Sequence, residues 1–359
     1  MKISKISAAV AAFALVSGFA FADSEVKFSN KVSSDIVEIV SNDDDTETEF
    51  AGIKNKTVFE YASDNLDAMI ELVFWSKKET DEKDPLDADD DKDYFAIGTG
   101  GFDFGDTFIE FRPFEVLGFE FHEKLNTAGS YLPVWDDNLS TGNMGSDFGV
   151  VVRPVEGLVF GAGVDFMSAF GHDDRKPIFN FGVEYANEDF AIGGALRNVA
   201  GDEDEDTGTD ELAFGVYTSL IMVENFSFNL GFAYNDAVEP DVGTVDGNLL
   251  TAGIMFEKDA VTLNVDAATN FGNSDDKEFD LYSAVQFGFA VNDNFSAELT
   301  FANALDFESD DDKKEKAMFE INPAVKLTFD RHEFGAGVNV FFNEDGSKVC
   351  FPVHWKYSF

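Results

Sequence analysis

Hydrophobic and polar residues alternate with a period of two along most of this chain. Phe226, Phe228, Leu230, Phe232 and Tyr234 fall on one face, and Ser227, Asn229, Gly231, Ala233 and Asn235 on the other. Val261, Leu263, Val265 and Ala267 oppose Thr262, Asn264, Asp266 and Ala268 in the same way. So do Phe295, Ala297, Leu299 and Phe301 against Ser296, Glu298, Thr300 and Ala302. Successive side chains of a strand point to opposite faces, so this pattern predicts β-strands. A soluble sandwich also alternates, but its strands commonly run about five or six residues. The runs here reach about 9–12, the length that crosses a bilayer when tilted.

The strands are joined in a fixed rhythm. From Asp147 onward a run ends in a tight turn, a second run follows, and an acidic, glycine-containing loop comes next. The turns are Val155-Glu156-Gly157, Asn187-Glu188-Asp189, Val223-Glu224-Asn225, Lys258-Asp259-Ala260, Val291-Asn292-Asp293-Asn294 and Asp330-Arg331-His332, recurring every 32 to 37 residues. Ser63-Asp64-Asn65 and Pro113-Phe114-Glu115-Val116 fit the same role. Arg112-Pro113-Phe114-Glu115 echoes Arg153-Pro154-Val155-Glu156. Short turns at one end and long loops at the other are the asymmetry of a transmembrane β-barrel.

Eight turns join sixteen strands. A strand near Val26 to Val40 and the C-terminal strand bring the count to about 18, an even number that leaves both termini on the short-turn side. The predicted fold is therefore all-β, a transmembrane antiparallel up-and-down barrel of about 18 strands. A different reading of Asp93 to Arg112 gives 16 or 20; here that segment is one long strand with a Gly100-Gly101 bulge. Pro323 and Pro352 fall inside strands. A closed barrel has no free edge to hold a proline, so bulges or membrane-boundary positions are expected there.

The N-terminus adds a compartment. Lys2 and Lys5 precede an apolar run from Ala8 to Phe21, and Ala20-Phe21-Ala22 is a small-x-small cleavage site. This reads as a secretory signal peptide over residues 1–22, too short for a membrane span, leaving 23–359 as one barrel domain. No later segment approaches the roughly 18–20 continuous apolar residues of a membrane helix. The lone Cys350 excludes an intramolecular disulfide. With 25 Lys+Arg against 70 Asp+Glu the net charge is −45, and loss of Lys2 and Lys5 takes it to −47. So negative a chain repels phosphates, which argues against nucleic acid as a partner. The 41 Phe suit the outer faces and aromatic girdles of a barrel in lipid.

The last strand carries the most specific signal. Val349, Phe351, Val353, Trp355, Tyr357 and Phe359 form one face, and Cys350, Pro352, His354, Lys356 and Ser358 the other. This resembles bacterial outer-membrane proteins, whose final strand ends on an aromatic residue with aromatic or apolar residues at alternate positions before it. The resemblance implies location in the outer membrane among its lipids. It also implies that Trp355, Tyr357 and Phe359 are read by the barrel-assembly machinery, and that the short turns are periplasmic and the long loops extracellular. In size, and in lacking an appended soluble domain, the chain looks most like the diffusion porins, which implies a homotrimer.

Several long loops are strongly acidic: 42–49, 78–93, 201–211, 273–278 and 308–315. Asp87-Ala88-Asp89-Asp90-Asp91 resembles the start of a Ca²⁺ loop, but Lys92 stands where the turn glycine belongs and Gly98 where the bidentate Glu belongs. Solvated surface is the favoured reading. The segment 123–146 differs: it is the longest and least acidic, and holds Tyr131, Leu132, Pro133, Val134 and Trp135 before Asp136 and Asp137. It lies between the fifth and sixth strands, where the loop of diffusion porins folds inward and narrows the pore. By that resemblance Tyr131, Trp135, Asp136 and Asp137 line a constriction; packing of Trp135 on the rim or on a neighbouring subunit is the competing reading.

Alternation directs Glu184, Arg197, Asp266, Glu298, Glu320, Lys326 and Lys356 into the lumen, where charge tunes selectivity. Arg112 and Arg153 fall near the turns and read as alternative anchors at the membrane interface. Acidic groups outnumber basic ones in loops and lumen, so a pore would prefer cations. No catalytic set, metal cluster or cofactor motif stands out; His122, His172, His332 and His354 are scattered. The leading expectation is a passive channel for small hydrophilic solutes or cations, not an enzyme. An adhesin or structural surface barrel, and a substrate-specific transporter, remain open alternatives.

Overall fold

The computed structural model describes residues 25–42, 46–49, 52–75, 101–121, 131–135, 137–138, 147–165, 177–199, 212–238, 245–270, 280–306, 316–343 and 346–358. The expected signal segment, Phe359, Asp136, the Asp87–Asp91 motif and most of each acidic loop lie outside them. Eighteen staves follow in chain order. β1 is Glu25–Asn42, and β2 runs in two pieces, Thr46–Glu49 and Lys54–Ala62. Then come β3 Leu66–Trp75, β4 Gly101–Phe114, β5 Leu117–Phe121, β6 Phe148–Val155, β7 Leu158–Asp165, β8 Ile178–Ala186 and β9 Phe190–Val199. The second half holds β10 Ala213–Val223, β11 Phe226–Val238, β12 Val245–Lys258, β13 Val261–Asn270, β14 Asp280–Asn292, β15 Phe295–Asp306 and β16 Lys316–Phe329. β17 is His332–Gly337 continued by Asn339–Phe342, and β18 is Gly346–Ser358.

Each stave pairs antiparallel with the next, and β18 pairs with β1 from Ser29↔Ser358 to Asn42↔Gly346, which closes the sheet. Closure leaves the sheet without a first or last edge strand, the condition for crossing a membrane with strands. The count is the 18 that the turn rhythm predicts. All eight predicted turns are where strands reverse. Several are set by a residue that tolerates a left-handed backbone: Asn225 has φ 67°, Asp259 53° and Asp330 53°. Gly157 has φ 80°, and a Cβ there would lie 2.2 Å from the carbonyl oxygen of Ala186 on the neighbouring stave, so glycine is required twice over. At the β8–β9 turn the Asn187 side-chain oxygen accepts the N–H groups of Asp189 and Phe190, both at 2.9 Å.

The two faces differ as the alternation demands. Outward residues are large and apolar, and Phe226, Phe287 and Leu299 each expose close to half their surface. Apolar residues of this kind recur on stave after stave, far beyond the few hundred square ångströms that soluble monomers expose contiguously, so lipid is the solvent of this face. Aromatic pairs gather beside the short turns. Phe226 and Phe256 lie 4.7 Å apart, and His332 stacks 6.0 Å from Trp355, whose indole N–H donates to His332 Nδ1 at 3.2 Å. Inward residues are small or polar, among them Asn229, Thr251, Ala233 and Ala302.

The prolines and the long fourth strand show where pairing yields. Asp35 pairs with Pro352 and Glu38 with Cys350, so two residues of β1 bulge against one of β18. At Pro323 the answer is different. The Val338 N–H donates to the Pro323 carbonyl at 3.0 Å, but proline has no N–H to return. β17 is interrupted at that residue alone, and its pairing with β16 resumes without a slip, Ala324↔Gly337 on one side and Ile321↔Val340 on the other. β4 carries a bulge within its described residues, and the expected Gly100-Gly101 bulge reaches outside them. The strand begins at Gly101, and the register shifts between Ile70↔Thr107 and Leu72↔Phe104, which puts the bulge at Gly105-Asp106. Residues 93–100 lie outside the described set.

Candidate pore and its inward loop

The seven charged residues assigned inward by alternation sit on the face of the small and polar side chains, but they do not meet in one place. They are spread from β8 to β18. Glu184 accepts a hydrogen bond from the Tyr217 hydroxyl across two strand pairings. Glu320, 3 % exposed, accepts one from the Asn322 side-chain amide. Arg197 is paired in register with Ala213, Glu298 with Gly288 and Ala324. Lys326 approaches Glu333 at 3.7 Å, and Lys356 lies in register with Lys31 and Glu333.

Asp266 departs from this pattern. It is fully buried, because a segment from the loop between β5 and β6 covers it. That segment is a short hairpin, Tyr131–Leu132 paired with Asp137–Asn138. Its turn presents the N–H groups of Val134 and Trp135 to Asp266 Oδ2 at 2.6 and 3.0 Å. Leu132 is 0 % exposed and belongs to one apolar cluster with Leu249, Ala268, Ala284 and Ala302, all on the inner wall of β12 to β15; Val134 and Trp135 pack against that cluster. The hairpin therefore lies inside the barrel. Asp136 is outside the described residues, as are the side chains of Tyr131 and Asp137.

Two groupings were not assembled from the sequence. The first is a lysine sector on the inner wall from β16 through β18 and β1 to β2. Lys31 is directly opposite both Lys356 and Lys56 in register, and Lys326 completes the set. Like charges facing across strands cost stability. Glu71 at 2.5 Å from Lys56 and Glu333 at 3.7 Å from Lys326 supply partial compensation. The signal was present: in β1, Lys27, Ser29, Lys31 and Ser33 alternate with Val26, Phe28 and Val32.

The second grouping surrounds Glu110, whose side chain is 0 % exposed. Arg112 grips Asp67 in a fork, Nη1 to Oδ2 at 2.8 Å and Nη2 to Oδ1 at 2.9 Å, and reaches Glu110 at 3.2 Å. Arg153 contacts the other Glu110 oxygen at 2.8 Å. Gly118 leaves the space, since a Cβ there would sit 2.7 Å from Glu110 Oε1. Arg112 also donates to the carbonyls of Ser63 and Asp64 in the β2–β3 turn. Both arginines thus face inward and lock β3 to β6 together, instead of anchoring the membrane interface, because the buried carboxylate draws them in. Among the described residues no group of three or more His, Cys, Asp or Glu is placed to hold a metal ion.

No protein-family model matches the chain, and no curated protein matches its sequence. Solved structures do match its fold. OpdQ of Pseudomonas aeruginosa is 8 % identical with a TM-score of 0.58, over 94 % of this chain and 98 % of that one. OccAB4 of Acinetobacter baumannii is 10 % identical with a TM-score of 0.59, over 94 % and 98 %. The outer membrane protein OpdK of P. aeruginosa is 12 % identical with a TM-score of 0.56, over 93 % and 99 %. OpdK has also been solved with vanillate. The matches span nearly all of both chains, so what is shared is the whole closed all-β barrel.

Proposed function

We propose that this barrel is an outer-membrane porin, a water-filled channel for passive diffusion of small hydrophilic solutes. The observation that carries the reading is the polar, small-residue inner wall with a hairpin seated against it from within. A barrel built only for display has no need of such a wall. In this reading the hairpin narrows the path, with Tyr131, Trp135, Asp136 and Asp137 at the constriction. Glu184, Arg197, Glu298, Glu320, Lys326 and Lys356 tune what passes. The acidic loops, carrying much of the net charge of −45, gather cations at the outer mouth and favour their entry.

A second reading of selectivity has its own observation. Lys31, Lys56, Lys326 and Lys356 form a positive sector on the inner wall, and OpdK, of the same fold, was solved with vanillate, a carboxylate. That sector favours anionic solutes once past the mouth. The zero-current potential of single channels in a salt gradient decides: cation preference is expected, and anion preference gives the lysine sector control. Deleting residues 130–138 should raise conductance, and unchanged conductance would sink the constriction. Solute competition for the current separates a general pore from a specific transporter. Export through a cleaved signal peptide, recognition of Trp355, Tyr357 and Phe359 by the assembly machinery, and a homotrimer belong to the same proposal.

A further inference from the structure

Asp266 stands on the inner wall with no cation in register beside it. Its partners across the ladder are Gly253 on β12 and Ala284 on β14, and the next inward residues of β13 are Asn264 and Ala268. Yet its side chain is fully buried. A carboxylate withdrawn from water needs donors in return. Those it has come from the hairpin, more than 130 residues away in the chain: the Val134 and Trp135 N–H groups, both on Oδ2. Oδ1 is buried with no hydrogen-bond partner among the described residues. The wall around it is cut back to Gly253, Ala268, Ala284 and Ala302, which makes room for Leu132.

We propose that Asp266 is the latch of an adjustable strap: it holds the 131–138 hairpin docked on the wall, and its release widens the aqueous path. This rests on the porin reading. The chemistry makes the latch reversible. Docking exchanges the water around one carboxylate for two charge-assisted amide bonds and the burial of Leu132. Release restores water to the carboxylate and exposes Leu132 and Trp135. Docking sets the desolvation of one carboxylate against two amide bonds and apolar burial, so removing the Asp266 bonds shifts the balance toward the released position. Apolar contact with alanines has no direction. The two N–H bonds to a single oxygen are what fix the turn at this register, and Pro133, with its φ constrained by the ring, preshapes the turn that aims them.

The test uses the full-length protein refolded into planar bilayers, as wild type, Asp266→Ala, Asp266→Asn and the 130–138 deletion, each first shown to keep its heat-dependent gel shift. Asp266→Ala should raise single-channel conductance toward that of the deletion and make the open current noisier, with Asp266→Asn between it and wild type. Asn keeps the shape and one acceptor, so it reports on the latch even if the alanine variant folds poorly. A readout independent of conduction is the emission of Trp135 in a Trp75→Phe, Trp355→Phe background, which should shift to the red in Asp266→Ala. Conducting wild type with unchanged conductance, noise and emission in both variants overturns the latch and leaves the pore standing. A folded wild type that does not conduct, with emission that still shifts, overturns the pore and leaves the strap.

Discussion

Replacing Arg112 by alanine probes the most tightly built part of the barrel. The guanidinium holds Asp67 by two bonds at 2.8 and 2.9 Å, Glu110 at 3.2 Å, and the Ser63 carbonyl at 2.8 Å. Its side chain is 22 % exposed and that of Glu110 is 0 % exposed. Removing one partner of a buried ion pair costs roughly 3–5 kcal/mol because the other charge is stranded. Arg153 still faces Glu110 at 2.8 Å, which moderates the loss. The expected cost is therefore at the low end, about 3 kcal/mol. Arg112→Lys keeps the charge but not the planar fork, and should lose about half as much. The assay is a reversible urea titration of the barrel in lipid vesicles, read by gel mobility without boiling and by tryptophan emission. A double-mutant cycle with Asp67→Ala should return a coupling of roughly 1–3 kcal/mol. If Arg112→Ala stays within about 0.5 kcal/mol of wild type, as an ordinary surface change would, the network is not a staple.

Other outcomes follow from single features. Lys31→Ala and Lys356→Ala should each move the zero-current potential toward cation selectivity, and the double variant further; no movement would place these side chains away from the ion path. Gly157→Ala forces a left-handed alanine against the Ala186 carbonyl and should destabilise the barrel by about 2 kcal/mol in the same urea assay, whereas Asn225→Ala, with no glycine to replace, should lose about half of that. Trp355→Ala combined with Tyr357→Ala should cut the amount of assembled barrel in cells while leaving refolding in vesicles nearly unchanged; equal losses in both would reduce the two residues to girdle packing.

The barrel was legible because its information is local. Period-two alternation, turn residues such as Gly157 and Asn225, and run length together specify strand, reversal and membrane crossing without long-range knowledge. The face on which Glu184 or Lys356 falls is read from the same local alternation. What was not legible depends on which staves become neighbours. Lys31 and Lys356 are more than 300 positions apart and meet only because β18 closes on β1. Asp266 reads as one more lumen carboxylate until the hairpin 130 residues earlier lands on it. Arg112 and Arg153 read as interfacial because their nearness to the turns is visible, while the buried carboxylate of Glu110 between them is not. The two prolines drew one expectation but produced two solutions, a bulge beside Pro352, opposite Phe351, and a one-residue break opposite Pro323, since strand pairing alone decides which backbone group is left over.

A water-filled barrel open at both ends carries ionic current. The direct measurement is current across a planar bilayer after adding purified full-length protein whose gel mobility shifts on boiling. Discrete, steady conductance steps that scale with salt concentration are the predicted result. A bilayer that stays electrically silent with the folded barrel inserted would rule out an open pore and leave a surface or adhesive barrel.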